Sequence, residues 1–178
     1  EPIRFGAGTL DLRLRLQPFK LDIGQLALTE GDERLLLSGA VRAEEAGWGG
    51  ALDVSLNQID AERLLKVWPV AAVPKTRLWF ATNVGEGQLS DVQAALRLEP
   101  GGQPLFNLSY EYAETEVRFV RTLPPILDGR GHATLENKTY TVALDEGHVI
   151  APEGGRIEAD GTVFQILDIT QRPATAKV

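Results

Sequence analysis

From Thr9 to Leu16 the chain reads TLDLRLRL, with Leu10, Leu12, Leu14 and Leu16 in one phase and Asp11, Arg13 and Arg15 in the other. A two-residue period sends successive side chains to opposite sides of an extended backbone, so this run predicts a strand with one dry and one wet face. The same period recurs along most of the chain. Lys20–Thr29 carries Leu21 and Ile23, then Leu26 and Leu28 after a slip at Gly24-Gln25 that predicts a bulge or bend. Glu30-Gly31-Asp32 predicts a turn. Leu35–Ala43 alternates through Leu37, Gly39 and Val41, and Ala51–Ile59 sets Leu52, Val54 and Leu56 on one face. With a Gly-rich loop holding Trp48 between the last two, these runs predict an antiparallel meander of about four strands.

The period changes once. After Asp60, the residues Ala61, Leu64, Leu65 and Trp68 fall at i, i+3, i+4 and i+7, one stripe of a short helix. Asp60 suits the N-cap and Pro69 stops the helix. A second short helix is predicted from Pro74 through Ala81, with Gly85 or Gly87 ending it. Neither is long enough to stand alone. Leu64, Leu65, Trp68, Trp79 and Phe80 are therefore expected to bury against the sheet, as plug or hinge at the join of two strand sets.

Alternation returns after Gly87. Ser90–Leu98 and Phe106–Tyr112 each predict a strand with one apolar face. Short strands follow at Glu116–Val120, His132–Glu136, Thr139–Leu144, His148–Ile150, Arg156–Phe164 and Gln165–Ile169, and Pro124-Pro125 interrupts pairing. The expected fold is mainly β and antiparallel: a curved groove-like or sandwich-like sheet with a short two-helix insertion. It reads as one unit made of an N-terminal strand set (1–59), the helical insertion (60–87) and a C-terminal strand set (88–178).

Composition narrows the function classes. The net charge is -7, with dispersed basic residues, where a nucleic-acid partner needs clustered Lys and Arg. The absence of cysteine removes disulfides, thiol nucleophiles and thiolate metal sites together. There is no methionine, even at position 1, which predicts an internal piece of a longer protein. No signal peptide or apolar run of transmembrane length is visible in it.

No residue pattern declares a reaction. Asp145, Glu146, Glu153, Glu158 and Asp160 cluster in sequence, but read as solvated strand positions; two-carboxylate hydrolysis needs a pair set across a cleft. His132 and His148 are isolated, where a metal wants several converging ligands. Ser38, Ser55, Ser90 and Ser109 sit in no nucleophile elbow. Gly6-Ala7-Gly8 and Gly85-Glu86-Gly87 lack the setting of a phosphate loop. No catalytic residue, metal or cofactor is expected. The positive hint is an excess of apolar strand faces over helices to cover them. Either the two strand sets close on each other, or a curved sheet lines an apolar groove suited to acyl chains.

Several ordered motifs carry a family resemblance. Trp48-Gly49-Gly50-Ala51-Leu52-Asp53-Val54, Leu64-Leu65-Lys66-Val67-Trp68-Pro69, Thr76-Arg77-Leu78-Trp79 and Asn83-Val84-Gly85-Glu86-Gly87 are followed by Val117-Arg118-Phe119 and Pro124-Pro125-Ile126-Leu127-Asp128-Gly129-Arg130-Gly131. Gly147-His148-Val149 and Ala159-Asp160-Gly161-Thr162-Val163-Phe164 complete the set. From about Trp48 to its end the chain resembles the AsmA-like family of Gram-negative envelope proteins, most of all its YhdP-type branch. The resemblance implies a non-enzymatic segment of an inner-membrane-anchored protein that extends through the periplasm. Such proteins are built of repeating β-groove modules and are implicated in moving phospholipid towards the outer membrane. The implied partners are phospholipid and adjacent β modules of the same parent chain. Candidate groove residues are those on single faces of the post-helix strands: Val92, Ala94, Leu96, Leu98, Phe106, Leu108, Tyr110, Val142 and Leu144. A scaffold module docking neighbours through its edge strands is the alternative reading. A carbohydrate-active or other hydrolase is a third, which needs two carboxylates converging in a polar cleft.

Overall fold

The computed structural model describes residues 5–68, 74–119, 122–171 and 176–177. The elements in chain order are β1 (Ala7–Leu16), β2 (Phe19–Glu30), β3 (Glu33–Glu44), β4 (Gly47–Asp60), α1 (Ala61–Val67) and α2 (Pro74–Asn83). There follow β5 (Gln88–Leu98), β6 (Leu105–Val117), β7 (Ile126–Glu136), β8 (Thr139–Ile150), β9 (Arg156–Glu158), β10 (Thr162–Ile166) and β11 (Ala176–Lys177). The eleven strands belong to one antiparallel sheet in the order β1-β2-β3-β4-β5-β6-β7-β8-β10-β11, with β9 paired to the end of β8. From β1 to β8 every strand lies beside its sequence neighbour, the cheapest connectivity for a chain that turns back on itself.

The helices do not join two separate strand sets. β4 and β5 pair directly from Gly50↔Leu98 to Asp60↔Gln88, so α1 and α2 are an excursion at one end of a continuous sheet. The expected N-cap holds: the Asp60 carboxylate accepts from the backbone N–H of Arg63 at 2.6 Å. Arg63 in turn pairs with Glu33 at the start of β3, which ties the first turn of α1 to the neighbouring hairpin. The stop expected at Pro69 lies outside the described residues.

Register converts the alternation into two chemically distinct faces. One cross-strand row runs Leu10↔Leu26↔Leu37↔Val54↔Ala94↔Leu108↔Leu135↔Tyr140↔Ile166, apolar across β1 to β8 and β10. The next row, on the opposite face, runs Leu36↔Ser55↔Gln93↔Ser109↔Thr134↔Thr141↔Gln165. Irregularities in pairing hold the phase. The slip predicted at Gly24-Gln25 is a register shift between β1 and β2, and Asp91, Glu114 and Asp128 take positive φ where β5, β6 and β7 bulge. Gly39, at φ +144°, leaves no room for a side chain, because a Cβ there would lie 2.0 Å from the Ala51 carbonyl oxygen.

The sheet is one layer, and the sandwich-like alternative is not realised. The chain exposes 12038 Å², roughly 40% more than the ~8,500 Å² expected of a compact monomer of this mass. The buried apolar residues are Ile59, Ala61, Tyr112, Ala133, Leu135, Val142 and Leu144 among the described residues, which puts the core in the β6–β8 half. Several short strands predicted downstream merge or split. Thr139–Leu144 and His148–Ile150 are parts of one strand, β8, and the described part of Glu116–Val120 opens on the end of β6, with Val120 outside the described residues. Arg156–Phe164 divides into β9 and β10 at Gly161, whose φ of +76° turns the chain, and β10 ends at Ile166 rather than Ile169.

Candidate functional site

The apolar face changes character along the sheet. In β6–β8 it closes: Tyr112, Ala133, Val142 and Leu144 form a cluster against which Leu89, Tyr110, Phe119, Ile126 and Tyr140 pack. Gly131 makes this possible, since a Cβ there would meet the Tyr112 hydroxyl at 2.8 Å and the Ala143 carbonyl oxygen at 2.0 Å. The Tyr110 and Tyr140 hydroxyls share a hydrogen bond of 2.6 Å. Burial, more than any neighbouring charge, pushes the Tyr110, Tyr112 and Tyr140 hydroxyls above the ordinary tyrosine range.

In β1–β5 and the first half of β6 the same face has no second layer. Leu10 and Leu14 are 58% and 52% exposed, Phe106 45%, and the leucines and valines of β2–β5 between them are half-buried by their cross-strand neighbours alone. A face of this kind offers a long dry surface with no hydrogen-bonding demand of its own.

The candidate groove residues therefore divide. Val92, Ala94, Leu96, Leu98, Phe106 and Leu108 lie on the open part, whereas Val142 and Leu144 are core and Tyr110 packs against it. The open face extends as far again over the pre-helix strands, through Leu10, Leu12, Leu37, Leu52, Val54 and Leu56, none of them among the candidates. Their signal was the same alternation, already present in the sequence.

The helical residues cap one end of the sheet. Leu64 and Leu65 are half-buried, and Trp68 and Phe80 pack on each other between the two helices, ring centres 6.2 Å apart. Trp79 stays 40% exposed and reaches Phe119 at 6.1 Å, which reaches Phe164 of β10 at 5.6 Å. This chain of rings stands at the closed half, so the helices border the open face without lying along it. Arg77 clamps the pair by donating to the carbonyls of Leu65 in the last turn of α1 and of its C-cap Trp68, at 2.8 and 3.2 Å.

A concavity lies on the other face. A shallow trough of about 500 Å³ crosses β3–β6, its floor set by Ser38, Asp53, Ser55, Gln93, Asn107 and Ser109 with Leu36 and Ala95 among them. Asp53 is held by Arg97 at 2.6 Å, and the Gln93 amide donates to the Ser55 hydroxyl at 3.1 Å.

The two histidines do not converge. His132 approaches Asp145 at 3.7 Å on the exposed face, while His148 is buried with its Nδ1 3.6 Å from Asp128. Among the described residues no three His or carboxylate side chains are placed to hold a metal. No helix there is long and apolar enough to cross a membrane. Comparisons with family models, with curated proteins and with solved structures give no match for this chain.

Proposed function

We propose that this chain is a non-enzymatic, lipid-handling segment of an AsmA-like envelope protein, and that phospholipid acyl chains lie on its open apolar face. One observation carries the reading: the row Leu10↔Leu26↔Leu37↔Val54↔Ala94↔Leu108 is apolar across six strands and has no covering layer. A single-layer sheet forfeits much of the burial that ordinarily stabilises a domain of this size. An acyl chain recovers it without leaving polar groups unpaired. Six strands span about 24 Å, enough for a long acyl chain laid across them. The periplasm, between an inner-membrane anchor and the outer membrane, is the setting this role requires, and it rests on the family resemblance.

The test is site-specific photo-crosslinking in cells, in the full-length protein, at Leu52 and Leu96 on the apolar face and at Gln93 on the polar one. Phospholipid adducts at the two leucine positions and not at Gln93 support the reading. Adducts with protein alone, or lipid captured equally at Gln93, overturn it.

The edge of β1 favours a second, compatible reading. All ten residues from Ala7 to Leu16 are exposed, and its outer edge pairs with no described strand. A long exposed edge with no proline in it, its leucines alternating with Asp11, Arg13 and Arg15, is a template for another strand. A neighbouring β module would extend the apolar row beyond Leu10, and the chain would act as one tile of a longer scaffold.

A further inference from the structure

The polar face holds a feature that acyl-chain binding leaves unused. Solvated sheet faces ordinarily carry Lys, Glu and Arg, as this one does at its rims with Lys20, Asp22, Arg42 and Glu44. Its middle is different. Register lines up Ser55, Gln93, Ser109, Thr134, Thr141 and Gln165 in one uncharged row across β4–β8 and β10. The flanking row, Ser38↔Asp53↔Ala95↔Asn107, has its one charge neutralised by Arg97. The trough of about 500 Å³ lies over these two rows, within the size range of small-ligand sites.

The chemistry of the floor selects the ligand. An anion finds no free cation there, since Arg97 is committed to Asp53. A cation finds Glu136 at one end and no second unpaired carboxylate among the lining residues. An apolar chain would desolvate hydroxyls and amides without replacing their hydrogen bonds. The side chains of Ser38, Asn107 and Ser109 make no hydrogen bond to other described residues, so their donors and acceptors are available. Ser55, Gln93 and Ser109 stand on the consecutive strands β4, β5 and β6, at the inter-strand spacing of about 4.8 Å, close to the rise of one pyranose unit in an extended glycan. We propose that the trough on the polar face binds a neutral polyhydroxylated chain, a glycan running across the strands, through the hydroxyl and amide groups of Ser38, Ser55, Gln93, Asn107 and Ser109. Hydrolysis is not part of the proposal: Asp53 is held in an ion pair and does not form an acid–base pair with Glu136. Lipid and glycan would occupy opposite faces of one sheet, so the two sites stand or fall separately.

The probe is the neutral β-1,4-linked hexasaccharide of N-acetylglucosamine, titrated into the isotope-labelled chain and followed by NMR, with a heparin hexasaccharide as the charged control. Saturable shifts are expected at the side-chain amides of Gln93 and Asn107 and at the Ser109 backbone amide, while the methyl signals of Leu52 and Leu96 stay still. The double variant Gln93→Ala/Asn107→Ala, at exposed positions, is expected to bind at least tenfold more weakly. Ser109→Lys, which fills the floor, should abolish the shifts. The proposal is overturned by an absence of shifts up to the solubility limit of the sugar. It is equally overturned if only the charged hexasaccharide binds, or if both variants bind as the parent does.

Discussion

The Tyr112 hydroxyl on β6 donates to the Ala143 carbonyl on β8 at 2.7 Å, passing over Gly131 of the strand between them. The contact pins three strands at the point where the open apolar face becomes a closed core. Tyr112→Phe is expected to lose about 1 kcal/mol, the net worth of one such hydrogen bond. Gly131→Ala should cost more, on the order of 3 kcal/mol, because a Cβ placed 2.0 Å from a backbone oxygen forces the strand to move. Urea unfolding of the two variants gives the ranking, and a Gly131→Ala protein as stable as the parent would refute the assignment.

The three tyrosines of the closed half, Tyr110, Tyr112 and Tyr140, make stability depend on alkaline pH. Their hydroxyls ionise at higher pH in the folded chain than in the unfolded one, so the native state holds these protons more tightly. Their contribution is fully present below the unfolded value of about 10 and is lost as pH rises beyond it. The urea midpoint should be insensitive to these groups between pH 7 and 9 and fall steeply above pH 10. A Tyr110→Phe/Tyr112→Phe/Tyr140→Phe protein should show a shallower alkaline fall.

Mutational cost should follow the division of the apolar face. Leu144, 6% exposed in the closed half, is expected to lose about 3 kcal/mol on replacement by alanine. Leu14, 52% exposed on β1, should lose less than ~1 kcal/mol for the same change. Equal losses at the two sites in denaturant titrations would mean that the β1 face is covered in solution.

The open face should report itself to a dye. The folded chain is expected to enhance the fluorescence of anilinonaphthalene sulfonate while unfolding in one cooperative step, unlike a molten state that also binds the dye. Leu52→Asp/Leu96→Asp should lower the signal severalfold, and Ser55→Asp on the opposite face should leave it unchanged.

The clamp between the helices is separable from the sheet. Removing the Arg77 guanidinium deletes its hydrogen bonds to the Leu65 and Trp68 carbonyls. Arg77→Ala should raise hydrogen-exchange rates of α1 amides about tenfold, since local opening needs only the energy of those bonds. The amides of β6–β8 should be unaffected.

What the sequence by itself determined was local. The two-residue period assigned β1 to β6, the slip at Gly24-Gln25 located a bulge, and Asp60 located a helix start, because each depends on neighbours a few residues away. The same period also told which side chains share a face. It carried no information about what stands opposite that face, so Val92 and Val142 read alike in the sequence although one is open surface and the other core. Tertiary structure decided that. It also decided the polar row, for Ser55, Gln93, Ser109, Thr134 and Thr141 are scattered over more than eighty residues and align only once every register is fixed. The register of β5 on β6 turns on the bulge at Asp91, where one extra residue moves the pairing by a position, whereas the irregularities at Glu114 and Asp128 are each compensated within their strand pair. A bulge of this kind is a compromise among three strands, and no single stretch of chain encodes it.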